Sequence, residues 1–580
     1  MLQHRVRIRF LFSLLACTGL VEPALGATFT WTGGGGANTN WSQGANWGGS
    51  APANGATDLT LVFPALTGPY KSNNDLTGLR VVALSAATKL GSGDYTFTGN
   101  PITLAGPVNF ASPESGNPNL RWQLPVSLGS DVTIHASGRQ TRLQGTIALA
   151  DHTLTLACEG DILLTGAVSG SGGLTKTLGS ALTVNAANTY SGPTETFAGA
   201  FYLGAAGALG STAAATTVHG GFLGFVPNST FTLAEPLRFA GGRILAYGTP
   251  TISGPVTLDA TTDVQAFNDV ARLTISGAVG GSGGITATGP GVVVLNSADA
   301  QYAGATRVDA GTLQLDADLS SSAALTIKSG ATLKGNGSTG GTIVVESGAT
   351  LAPGTSPGAL ASQGLTMASG ATYAVEINGA QAGAQHDTLA VSGAVTLGGA
   401  TLSVALGYAP PDGSQFAIIT APSAAGGNFA GLAEGASLQL GNSHLTIGYH
   451  GGAGGNVVLV AGPPPTATRT PTVVASATAT RTATTPGATA TATRTGTAVG
   501  SATVTATPTP TFTPTPTSNG PCTGDCDGNG AVTVNEVVLG VSVALGGTVG
   551  PPCEAIDADG DGRASIAELI AAVGNALDGC

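Results

Sequence analysis

The stretch TLQLDADL, residues 312–319, decides the fold. Leu313, Leu315, Ala317 and Leu319 fall on one side of an extended chain, and the polar residues fall on the other. Alternation with period two marks a half-buried strand. TLTLA (153–157) and TLSVAL (401–406) repeat the pattern, and glycine turns separate such runs. Across residues 27–462 no amphipathic helix stands out.

The strands recur in blocks. AVSGSGGLTKT (167–177) returns as AVGGSGGITAT (278–288). Each copy leads into a valine-rich strand and then a tyrosine turn, TYSGPTETFAGAF or QYAGATRVDAGTL. A finer beat starts SGATL at Ser329 and Ser347, SGATY at Ser369 and SGAVTL at Ser392. The spacing of those four serines suits single coils of a β-solenoid, one motif to a coil. One coil cannot bury its apolar face, whereas stacked coils can. Small residues at the turns let successive coils approach closely.

The two GSGG[LI]T blocks with their tyrosine turns, ESGATLAPGTSPGAL (346–360) and the closing YHGGAGGNVVL (449–459) resemble the passenger-associated β-strand repeats of bacterial autotransporters. The likeness covers about residues 160–460. The expected fold is mainly β. It comprises an N-terminal β-rich region and cap (27–160) and a right-handed parallel β-helix (161–462). A disordered Thr/Pro linker (463–520) and a small α-helical calcium-binding pair (521–580) follow. The chain departs from a complete autotransporter in showing no C-terminal series of roughly ten-residue alternating strands, so self-export through a membrane barrel is not expected. WTGGGGANTNWSQGANW (31–47) opens the body like related exported repeat proteins. Its tryptophans either cap the solenoid or form a glycan-binding aromatic surface.

Only 9% of the chain is charged, against about 25% in ordinary domains. Residues 521–580 depart from this: nine acids against one arginine give them a net charge of −8. No basic patch with interleaved aromatics occurs, which argues against nucleic acid. At the N-terminus Arg5, Arg7 and Arg9 precede FLFSLLACTGL and then EPALGA. This reads as an export signal cut after Gly26, too short to span a membrane. The alternative is a lipoprotein signal acylated at Cys17. Secretion to the extracellular space or cell surface follows from either. Residues 463–520 are Thr/Pro/Ala-rich and lack the apolar content for a core.

The acids of the tail have a spacing. DCDGNGAVTVNE begins at Asp525 and DADGDGRASIAE at Asp557. A twelve-residue calcium loop supplies oxygens from positions 1, 3, 5, 7, 9 and 12, with glycine at 6. The first loop offers Asp525, Asp527, Asn529, the Ala531 carbonyl, Thr533 and Glu536. The second offers Asp557, Asp559, Asp561, the Arg563 carbonyl, Ser565 and Glu568. Carboxylates packed this closely repel unless a cation lies among them. Two Ca²⁺ sites are expected, the second tighter because it has four carboxylates to the first's three.

Each loop leads into an apolar stripe: Val534, Val537, Val538, Val541 and Leu545, then Ile566, Leu569, Ile570, Val573 and Leu577. The spacing is helical, and the two stripes are expected to pack together. A loop plus exiting helix, duplicated, resembles the dockerin modules that bind cohesins in extracellular polysaccharide-degrading assemblies. The resemblance implies a cohesin-like or cell-surface partner for 521–580. Glutamate at position 12 and four cysteines depart from the dockerin pattern. Cys522, Cys526, Cys553 and Cys580 read as two disulfides, with three pairings open and zinc as the alternative. Cys158 in TLTLAC reads as simply buried.

No HExxH or G-x-S-x-G motif is present, and the body's acids are scattered. His386–Asp387 is the one tempting dyad, but neighbours on a strand point to opposite faces. Two functions therefore stand. One is a non-catalytic, adhesin-like exported rod with a calcium-stabilised docking tail. The other is a polysaccharide lyase or glycoside hydrolase carrying the same tail. Glycans are the candidate ligand class of the body.

Overall fold

The computed structural model describes residues 26–66, 71–88, 94–112, 119–319, 324–452, 454–463, 523–526, 531–533, 536–537, 540, 554–558 and 564–578. The chain divides into two units, Met1–Pro471 and Thr472–Cys580. The signal segment, Cys17 and residues 464–520 fall outside the described residues.

The first unit is a parallel β-solenoid of about 13 turns. Its inside is built by alternation. Leu313, Leu315, Ala317 and Leu319 are all buried, as the opening stretch required. Coil stacks on coil in register. On one sheet Leu143 pairs with Leu164, then Val184, Leu203, Phe225, Ala246 and Ala266 in turn. Each is an inward residue sealed above and below by its neighbours in the column. Full burial of a Leu or Val contributes about 1.5–3 kcal/mol, and only the stack makes it full.

On the third sheet Thr312 registers on Thr332, Thr332 on Thr350, Thr350 on Thr372 and Thr372 on Thr401. The SGAT turns begun at Ser329, Ser347 and Ser369 are corners of this column, with Gly330, Gly348 and Gly370 at φ of 80°, 79° and 83°. The fourth corner is not at Ser392. It is Gly398–Gly399, because Thr372 pairs with Thr401. A loop spanning 378–387 lengthens that coil and shifts SGAVTL to another face, where Leu365 pairs with Val395.

Close approach at the corners demands small residues. A β-carbon on Gly145 would lie 2.0 Å from the Leu124 carbonyl oxygen, and one on Gly166 would lie 1.9 Å from that of Gly145.

The duplicated blocks share a local structure but not a face. Leu174–Thr177 lies in the first sheet and Ile285–Thr288 in the second. Their following strands, Leu182–Val184 and Val292–Leu295, lie in the second and third. The offset from Ala167 to Ala278 is therefore not a whole number of coils. Even so, Tyr190 bonds Thr194 and Tyr302 bonds Thr306, each at 2.6 Å.

Both ends are closed. Trp31, Trp41 and Trp47 are buried with Phe63 in edge-on and tilted contacts of 5.1–5.9 Å. Trp47 donates its indole N–H to the Trp41 carbonyl at 2.7 Å. The tryptophans are a core cap. Of the two readings the cap holds, and the glycan-binding alternative falls because these rings are buried. At the other end Gln415–Thr420, Ser437–Leu440, Ser443–Gly451 and Asn456–Gly462 pair antiparallel. That meander turns the parallel ladder away from further growth at its edge.

The second unit contributes the 3-10 turn Glu554–Ile556 and the helix Ile566–Asp578. Among the described residues no helix is long and apolar enough to cross a membrane.

Candidate functional site

Of the twelve expected calcium ligands, Asp525, Ala531, Thr533, Glu536, Asp557, Ser565 and Glu568 are described. Asp527, Asn529, Asp559, Asp561 and Arg563 lie outside the described residues, as do Cys522, Cys553 and Cys580. The two position-12 glutamates do the same thing in each half. Glu536 accepts the N–H of Cys526 at 2.8 Å and that of Thr533 at 2.7 Å. Glu568 accepts the N–H of Ala558 at 2.6 Å and that of Ser565 at 2.8 Å. In both halves one oxygen reaches the residue after the loop's first aspartate and the other reaches position 9.

Part of this is helix chemistry. Ser565 Oγ accepts the Glu568 N–H at 3.3 Å while Glu568 returns to the Ser565 N–H, which makes a reciprocal capping box. The contact to position 2 goes beyond a cap, because it draws the loop's entry over its exit. Both glutamates are buried. A buried anionic carboxylate at the exit, with an aspartate at the entry, is a hard-oxygen donor set that suits Ca²⁺.

Behind the loops, Ile556 and Ala572 form a small core, with Val537 and Leu569 packed on it. Gly540 fits where a β-carbon would press on Ile556 at 2.7 Å. Val537 from one stripe and Leu569 from the other therefore share this core. Ile570 and Val573 depart from the expectation: they are 67% and 41% exposed.

In the body, His386 and Asp387 sit in the lengthened coil, both buried. His386 Nδ1 faces the Gly379 carbonyl at 3.2 Å, and its ring packs edge-on against Phe416. Asp387 takes the N–H of Gly358 on one oxygen and that of Glu376 on the other, at 2.7 and 2.8 Å. Burial pushes its carboxyl up to about 6, against the pull of those two donors. Burial also lowers the His386 imidazole. Asp387 is thus a clamp on the PGTSPG loop (353–358), and the pair is not a catalytic dyad. Beside that loop lies an open hollow of about 230 Å³. Ala352, Ala374 and Ala405 line it together with Lys334 and Glu376. Glu376 accepts the Ser356 hydroxyl at 2.6 Å.

Sequence reasoning passed over two buried ionisable groups. Lys176 is wholly buried and donates to the carbonyls of Leu178 and Ala198 at 2.9 and 2.6 Å. Glu235 is buried with the Thr216 hydroxyl at 3.2 Å, and burial pushes its carboxyl up to about 7. Parity was the available signal for Lys176, which shares the inward face of its strand with Leu174.

The fold and these sites define a long parallel β-solenoid joined to a separate small acidic unit. No protein-family model matches the chain. Among curated proteins, a stretch of 118 residues is 40% identical to the Adhesin BmaC autotransporter of Brucella suis biovar 1 (strain 1330). The match covers 19% of this chain and 3% of that protein.

Proposed function

We propose that the chain is an exported, adhesin-like β-solenoid whose acidic tail binds calcium and docks to a cohesin-like or cell-surface protein. The observation that carries the reading is the unbroken coil stack, with a Thr/Ser-rich outer side and buried carboxylates committed to loop and corner contacts. The identity to an adhesin autotransporter segment supports an extracellular or cell-surface location. A body of this kind acts by presenting surface along its length, with glycans as candidate ligands.

In the tail, calcium is held by Asp525, Asp527, Asn529, Ala531, Thr533 and Glu536 in one loop, and by Asp557, Asp559, Asp561, Arg563, Ser565 and Glu568 in the other. The four tail cysteines form two disulfides in this reading, as suits an exported chain. Exposed Ile570 and Val573 offer an apolar strip for a protein partner.

Titration calorimetry of the full chain with CaCl₂ tests the tail. Two binding events removed by EGTA are expected, and absence of heat overturns the calcium reading. Attachment of protein-coated beads to epithelial cells tests the body. Attachment no better than that of albumin-coated beads overturns the adhesive reading.

A further inference from the structure

Four consecutive coils place aromatic side chains on the outside of the second sheet. Ala200–Leu203 registers on Phe222–Phe225, that strand on Arg243–Ala246, and that in turn on residues 263–266. Alternation sends Phe201, Leu203, Leu223, Phe225 and Ile244 inward. The same alternation turns Tyr202 and Phe222 outward, and Tyr247 and Phe267 follow at the strand ends. Tyr202 meets Phe222 edge-on at 5.4 Å and Tyr247 at 6.5 Å, and Tyr247 meets Phe267 at 4.5 Å.

Tyr202 lies over Gly224, where a β-carbon would come within 2.9 Å of its ring. Leu245, beside Gly224 in the register, is covered although it points outward. Phe267 and nearby Val270 remain 47% and 79% exposed. Among the described residues of this body, Leu178, Phe197, Phe267 and Val270 are large apolar groups left exposed, and the last two stand at this platform's edge.

We propose that this platform binds a neutral glycan chain, the sugar rings stacking on Tyr202, Tyr247 and Phe267. This rests on the reading of the body as an adhesive rod and names its ligand class. The surrounding charge selects the occupant. Arg243 lies over the Phe222 ring at 5.4 Å and is the register partner of exposed Asp263. Asp161 acts electrostatically on Tyr202 from the other side.

One cation against two carboxylates gives no basic stripe for nucleic acid or an anionic polysaccharide. Charged groups within the patch also disfavour the charge-depleted centre typical of a protein interface. A polyhydroxylated neutral chain suits both parts: its C–H faces lie on rings, and its hydroxyls donate to Asp161 and Asp263. Rungs of a solenoid are about 4.8 Å apart, the scale of one sugar ring.

The test runs the full-length protein on native gels containing hydroxyethylcellulose, xylan, galactomannan or dextran. At least one polymer is expected to retard the wild type. Phe267→Ala and the double variant Tyr202→Ala/Phe267→Ala should weaken retardation by about tenfold or more, the scale of a lost stacking contact. Phe267 is exposed enough that its single variant keeps the test valid should the double variant misfold. No retardation in any polymer, or equal retardation of Phe267→Ala and the wild type, overturns the proposal. So does a concentration-dependent dimer that Phe267→Ala dissociates, which would make a second copy the occupant. Bead attachment to cells that persists in the Phe267→Ala variant would remove this site while leaving the adhesive body intact.

Discussion

The ammonium of Lys176 donates to the carbonyl of Leu178 from inside the solenoid, at 2.9 Å. Leu178 sits at a corner with φ of 65°, a left-handed conformation that costs a non-glycine residue about 1–2 kcal/mol. The second copy of the block has Ala287 and Gly289 at the same two places, with Gly289 at φ of 81°. The first copy thus holds with a buried cation a turn that the second makes with glycine.

Leu178→Gly is expected to stabilise the solenoid by about 1 kcal/mol. Lys176→Met should cost about 2–3 kcal/mol, because it strips the donor from the Leu178 and Ala198 carbonyls. Urea midpoints for the two variants check both signs, and a Lys176→Met midpoint equal to wild type would discard the clamp.

Glu235 sets a pH dependence. Its carboxyl is raised to about 7 in the folded chain from an ordinary 4.5. A raised carboxyl gives stability that is fully present below the unfolded value and lost as pH climbs through the folded one. Between pH 4.5 and 7 the wild type should therefore lose on the order of 2–3 kcal/mol relative to Glu235→Gln. The comparison between the two proteins isolates this residue from Asp387, whose own carboxyl titrates near 6. Parallel pH profiles for the two proteins would contradict the assignment.

The proposed calcium binding in the tail can be separated from helix capping. Glutamine preserves a capping box but not a bidentate anionic ligand. Glu568→Gln should keep its helical circular dichroism and weaken Ca²⁺ binding by about tenfold or more, from a dissociation constant on the order of 10⁻⁴–10⁻³ M. Calorimetry of wild type and variant reads the difference, and unchanged affinity would leave Glu568 as a cap alone.

Gly166→Val should be among the most damaging single changes in the body. Its β-carbon has no room against the Gly145 carbonyl, so two coils must separate or the corner must rebuild. A loss of more than about 3 kcal/mol is expected, measured by urea unfolding of the full chain.

Much of this was legible in the residues. Leu313, Leu315, Ala317 and Leu319 gave the inside of the solenoid because a strand's parity is set by covalent geometry alone. The serine spacing gives the coils from Ser329 to Ser347 and from Ser347 to Ser369, but the next coil is longer than the spacing to Ser392. The loop spanning 378–387 hides in the same Gly/Ala composition as the turns. Strand parity is most informative where it is reversed. Lys176 and Glu235 are polar groups inside, and Tyr202 and Phe222 are aromatics outside; each reverses its local rule. The tryptophans are the most conspicuous aromatics in the sequence, yet Trp31 and Trp41 are buried and close an end. The helix caps follow Ser/Thr-x-x-Glu in both halves, but the reach of each glutamate to position 2 depends on how the loop folds back, which no local pattern states.

The mismatch between the spacing of the duplicated blocks and the coil length carries an evolutionary consequence. A copied segment need not preserve rotational phase to be accepted, since any side of the screw welcomes the same alternating thread. Such a chain can lengthen by single sides rather than whole coils, each insertion pointing its outer residues along a fresh bearing. Displaying new surface then requires no new architecture.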